Sequence, residues 1–107
     1  MVERLAELRE RAASDIDDAV ASLRTEAGDA VALAFVDALE RSINQIERAP
    51  HAGSLRFAFD LGIPELRALA LRRFPYVVFY VPLGDRVDIW RVLHSRRDIP
   101  ATLTRHD

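Results

Sequence analysis

Between Leu66 and Leu103, three apolar, β-prone runs are separated by two turn signals, and this pattern restricts the fold more than any other in the chain. The runs cover about 66–73, 76–82 and 86–94. Phe74-Pro75 divides the first pair and Pro82-Leu-Gly-Asp85 the second. Proline and glycine interrupt strand ladders, so the spacing predicts an antiparallel meander. In Tyr76–Val81 both faces are apolar. In Val87–His94 strict alternation would place Val87, Ile89, Arg91 and Leu93 on one face, with Asp88, Trp90, Val92 and His94 on the other.

The first half has a different period. Leu5, Leu8, Ala12, Ile16, Ala19, Val20 and Leu23 recur every three or four residues, as on one face of a helix. Gly28 is placed to end that helix and Asp29 to cap the next. The second stripe is Val31, Phe35, Leu39, Ile43 and Ile46, and Pro50 stops it. One Gly-Asp turn between the two predicts an antiparallel helix hairpin over about 10–49. His51–Ser54 reads as a loop, Leu55–Phe59 as a short extended piece and Asp60–Pro64 as a connector. The expected fold class is α+β, a helix hairpin packed on a three- to four-stranded antiparallel sheet at about 66–94. A hairpin covers one face of such a sheet, so the apolar second face needs a folded-over tail or a bound partner.

The chain has 107 residues, the size of one domain, with residues 101–107 read as a loose tail beyond Pro100. It contains no cysteine, which excludes a disulfide scaffold, a thiolate metal site and a cysteine nucleophile, and suits a reducing cytoplasm. The charged start is unlike a signal peptide, and no apolar run approaches the ~20 residues of a membrane span. His51, His94 and His106 lack metal-ligand spacing, and the four glycines are isolated, so no metal, phosphate loop or nucleotide cofactor is expected. Ser95 follows His94, but neighbours on a strand point to opposite faces, so a hydrolase triad is unsupported. Every strong base is arginine; there is no lysine. Residues 1–50 carry 6 Arg against 11 acids, a balance of −5, and residues 51–107 carry 9 Arg against 6 acids, a balance of +3. This uneven charge is either ordinary surface or a sign of an acidic partner on the sheet side.

One constellation could carry chemistry. Arg72, Arg73, Arg91, Arg96 and Arg97 lie in the strand region with Tyr80 and His94. Arginines beside a tyrosine and a histidine could stabilise phosphorane charge while a proton moves, as in RNA cleavage. The simpler reading pairs Arg91 and Arg97 with Asp88 or Asp98 and leaves His94 bonded to backbone. The Arg96-Arg97 pair could instead meet an acidic partner surface.

From about Leu5 to Leu103 the chain resembles the RelE/ParE superfamily of type II toxins, closest to the ParE branch. The resemblance rests on Asp15-Ile16, Phe35-Val-Asp-Ala-Leu-Glu-Arg41 with Ile46, Pro50-His-Ala-Gly-Ser54 and Gly62-Ile-Pro-Glu-Leu-Arg67. It continues in Arg73-Phe-Pro-Tyr-Val-Val-Phe-Tyr80 and Ile89-Trp-Arg-Val-Leu-His-Ser-Arg-Arg-Asp-Ile-Pro100. It implies a cytoplasmic bacterial toxin neutralised by a cognate ParD-like antitoxin, whose DNA-binding part would carry the complex to its operator. The ParE branch is linked to inhibition of DNA gyrase by binding; the RelE branch cuts mRNA on the ribosome. RelE-type nucleases use several basic residues and a C-terminal Tyr or His. This chain has no lysine and ends Thr104-Arg-His-Asp107, so no catalytic residue is carried over. The resemblance also implies a short first strand at about 5–9, where the local period reads as helix. Many such toxins are basic and this chain is acidic, which leaves a non-toxic antitoxin-binding relative as a third reading. On the leading reading Arg72, Arg73, Arg91, Arg96 and Arg97 contact target or antitoxin, and Tyr80 and Trp90, with Tyr76 and Phe79, supply apolar area.

Overall fold

The computed structural model describes residues 5–96 and Ile99; the expectations for Arg97, Asp98, His106 and the tail 101–107 lie outside them. The elements in chain order are β1 (Leu5–Leu8), α1 (Glu10–Ala27), α2 (Asp29–Arg48), a 3₁₀ turn (Pro50–Ala52), α3 (Arg56–Leu61), β2 (Arg67–Ala70), β3 (Tyr76–Pro82) and β4 (Arg86–His94). The sheet order is β1-β4-β3-β2. The fold is α+β, as expected. The sheet is mixed rather than wholly antiparallel, because β1 runs parallel to β4 in the register Leu5↔Arg86 to Leu8↔Ile89.

β1 is the strand that the resemblance implied and the local period denied. Long-range bonds decide it. The Arg9 N–H donates to Ile89 O at 3.0 Å, and the Ala6 N–H donates to Glu47 Oε2 at 2.8 Å. Leu5 and Leu8, counted in the helical stripe, are exposed. The helix starts only at Glu10, and its buried stripe only at Ala12.

Gly28 alone joins the two helices. Its N–H donates to Arg24 O, its carbonyl accepts from the Ala32 N–H, and its φ of 94° is open to glycine and strained for other residues. Asp29 does not cap α2. It is the first helical residue, and its carboxylate pairs with Arg24 at 3.0 Å. One side of the hairpin packs on the sheet through Ala12, Ala19, Phe35, Ala38, Leu39 and Ile46 against Val78, Tyr80, Val87, Ile89 and Val92.

The second sheet face has its cover within the chain. Leu55–Phe59, expected as extended, lies largely in α3. Its Leu-x-Phe-x-Phe alternation imitates a strand, and six residues are too few to show a helical period. Ser54 Oγ accepts from the Arg56 N–H at 3.1 Å at the start, and Gly62 ends the helix in the left-handed region at φ 65°. Phe57 meets Phe79 edge-on at 5.2 Å. With Ala58, Leu61, Ile63, Leu66 and Ile99 it buries Phe79 and Leu93.

A bulge corrects the predicted alternation of β4. Phe79 pairs with Arg91 and Tyr80 with Ile89, leaving Trp90 as the extra residue. Beyond it the faces change over. Val92 joins Val87 and Ile89 under the hairpin, and Leu93 packs on the opposite side.

Candidate interaction surface

The strand expected at 66–73 stops at Ala70, and Leu71–Pro75 forms the turn into β3. The Leu71 N–H donates to Tyr76 O at 2.9 Å, and the Tyr76 N–H donates back to Phe74 O at 2.8 Å. Phe74 fixes this turn to the hairpin, edge-on to Phe35 at 5.6 Å. Arg73 is thereby held at φ 73°, in the left-handed region. A non-glycine residue there is strained by about 1 kcal/mol or more.

The end of β4 lies beside that turn. Tyr76 pairs with His94 in register, their rings 5.1 Å apart, and the Ser95 N–H donates to Pro75 O at 2.7 Å. His94 Nδ1 accepts from the Arg96 N–H at 3.1 Å and shapes the chain just past the strand. Arg72 and Arg73 on one loop and Arg96 on the other therefore share one end of the sheet, all exposed. Among the described residues none of the three forms a salt bridge. Several other arginines are engaged. Arg9 pairs with Asp88, Arg24 with Asp29, and Arg86 with Asp85 and Glu7. Arg67 donates to the carbonyls of His51 and Gly53.

Arg91, Tyr80 and Trp90 are placed apart from this end. Arg91 forks Asp15 at 2.7 and 2.8 Å, and the same carboxylate accepts from the Val92 N–H at 2.9 Å. The two side chains keep only 14% and 10% of their exposure, so the pair ties α1 to the bulged strand. Asp88, the partner expected from sequence, is taken by Arg9 and by Trp90 Nε1 at 3.1 Å. Trp90 is half-buried with the Arg9 guanidinium 4.2 Å above its ring. Tyr80 is fully buried, which corrects its placement in a contact surface. Its hydroxyl donates to Pro50 O at 2.8 Å and accepts from the Gly53 N–H at 3.0 Å. Burial pushes this hydroxyl above its ordinary pKa, against the opposing effects of the Gly53 hydrogen bond and the Arg67 charge. A Cβ at Gly53 would come within 2.6 Å of that hydroxyl, so glycine is required by close approach.

Among the described residues Tyr80 and Arg91 are therefore apart from the sheet end, where His94 stays with Arg72, Arg73 and Arg96. Tyr80 is in the core, Arg91 is held by Asp15, and His94 is paired with Tyr76, four residues or roughly 13 Å along β3 from Tyr80. No group of metal-ligating side chains occurs among the described residues. Nor is any helix among them long and apolar enough to cross a membrane. Sequence reasoning missed Asp15 as the partner of Arg91. The available signal was an acid on the inner side of an otherwise apolar stripe, beside Ile16.

The fold and surface define a small α+β domain whose distinctive chemistry is an arginine-bearing sheet end. The family model of the ParE toxin of type II toxin–antitoxin systems, parDE, matches residues 6–99, and the chain belongs to that family. Ten solved chains resemble the fold. One, from the chromosomal ParDE toxin–antitoxin system of P. aeruginosa, superposes with a TM-score of 0.73 at 20% identity, covering 86% of this chain and 96% of its own. No curated protein sequence matches significantly.

Proposed function

We propose that this protein is the toxin of a type II toxin–antitoxin pair that inhibits DNA gyrase by binding and is neutralised by a cognate ParD-like antitoxin. The observation that carries the reading is the family match over residues 6–99. The solved relative comes from a ParDE system, which supports an antitoxin partner. Operator DNA is reached through the antitoxin's DNA-binding part, and the site of action is the cytoplasm. Arg72, Arg73, Arg96, Arg97 and Trp90 are the proposed contacts to the gyrase–DNA target or to the antitoxin. Arg91 acts indirectly, holding α1 on the sheet through Asp15.

The test is plasmid supercoiling by purified gyrase with ATP, with and without the folded, antitoxin-free protein. Inhibition that is relieved by the antitoxin is expected. Full supercoiling at a large excess of toxin would reject the gyrase reading. Growth on expression without antitoxin checks toxicity separately: arrest is expected, and unimpaired growth favours a non-toxic relative.

A further inference from the structure

We infer that the sheet end carrying Arg72, Arg73 and Arg96 binds the phosphodiester backbone of duplex DNA directly, without reading its sequence. The inference rests on the proposed function only for where toxin and DNA meet, since gyrase works on a duplex.

Four observations lead to it. The two loops are joined by the Ser95–Pro75 hydrogen bond, so the three arginines belong to one surface. Among the described residues their charges are not neutralised by salt bridges, while Arg9, Arg24, Arg86 and Arg91 each have a carboxylate. Arg73 keeps a long cationic side chain at a left-handed position where glycine would be unstrained. Such strain, when observed, is a pointer to function.

The fourth observation separates a nucleic acid from an acidic protein. In protein interfaces arginine hot spots work beside buried aromatic anchors. Among the described residues this surface offers none that is free: Leu71 is buried, Phe74 packs on Phe35, and Tyr76 lies against Phe35 and His94. Guanidinium groups without an apolar anchor fit a phosphate backbone, where affinity is chiefly electrostatic. Arginine also forks phosphate oxygens bidentately. Asp15 and Asp18 line a cleft beside Tyr76 and bound the surface on its hairpin side. Arg91 neutralises Asp15, so it is the charge of the exposed Asp18 that would keep a duplex off α1 and direct it across the loop tips.

Fluorescence anisotropy of a labelled 30-bp duplex of mixed sequence tests this with the full-length protein and no gyrase. Binding is expected in the non-specific range of roughly 10⁻⁴ to 10⁻⁶ M, with a log–log salt slope of about −2.7 for three phosphate contacts. That slope is about a 40-fold loss of affinity between 50 and 200 mM salt. Arg72→Glu with Arg73→Glu should abolish binding. Arg41→Glu with Arg48→Glu, the same charge change on exposed positions of α2, should retain most of it. Unfolding curves of both variants check that they fold. Equal loss in the two variants, no binding at 50 mM salt, or displacement of the duplex by poly-glutamate at equal charge concentration would overturn the inference. Gyrase inhibition without duplex binding would reject this inference and keep the proposed function. Duplex binding without gyrase inhibition would do the reverse.

Discussion

Arg91 and the tip arginines are the same residue type in opposite surroundings, and the difference separates what holds this fold from what it presents. Arg91 is almost enclosed, forked by Asp15, with a backbone N–H sharing the carboxylate. Arg72, Arg73 and Arg96 are exposed on two loops. A buried charge whose partner is removed is left uncompensated, whereas an exposed one remains hydrated. The contrast therefore predicts large stability effects without direct loss of a contact surface in one region, and the converse in the other.

The largest effect should come from Asp15→Ala. It removes the carboxylate that the Arg91 guanidinium and the Val92 N–H share, and a loss of about 3 kcal/mol is expected in urea unfolding. A change below 0.5 kcal/mol would show that the pair does not hold α1 to β4. Tyr80→Phe comes next. It leaves Pro50 O and the Gly53 N–H buried without their partner, for a loss of about 2 kcal/mol by the same measurement.

The same hydroxyl makes a pH prediction. Its pKa is raised in the folded state above the ordinary 10.0. The unfolded chain then loses this proton first as pH rises. Stability from Tyr80 is thus full below about pH 10 and is lost on going through the folded pKa, by at most about 1.4 kcal/mol per pH unit. Denaturation midpoints measured from pH 8 to 11 should fall less steeply in Tyr80→Phe than in the wild type.

At the tip the stability effects should be small and of the opposite sign. Arg73→Gly relieves the left-handed strain and should stabilise by roughly 0.5 kcal/mol after glycine's extra chain entropy. It should also weaken duplex binding in the anisotropy assay. Arg96→Ala should change stability by less than about 0.5 kcal/mol, as for other surface positions. Thermal unfolding of that variant gives the check, and a drop of several degrees would place Arg96 among the fold-holding residues.

The parts legible in the sequence were those with a local cause. The helix hairpin follows from two stripes broken by Gly28, and β3 and β4 follow from β-prone runs bounded by turns. The tip arginines were named too, although Arg72 and Arg73 were read as strand residues and lie in the turn after Ala70. The rest depended on distant contacts. β1 exists through its ladder to β4 and the Glu47 bond, across 41 residues of chain from Ala6. Six residues of α3 gave no period. The bulge at Trp90 shifted the faces of β4 by one position, which moved Val92 and Leu93 and left Arg91 with Asp15 instead of Asp88. Tyr80 looked available because β3 is apolar on both faces, and its partners in Pro50–Gly53 lie 27 and 30 residues away.

The most direct test of the division between fold-holding and partner-contacting arginines is gyrase supercoiling with the triple variant Arg72→Glu, Arg73→Glu and Arg96→Glu. The account predicts that the wild type inhibits and that the variant, with an unchanged urea midpoint, does not. Undiminished inhibition by the folded variant would contradict it.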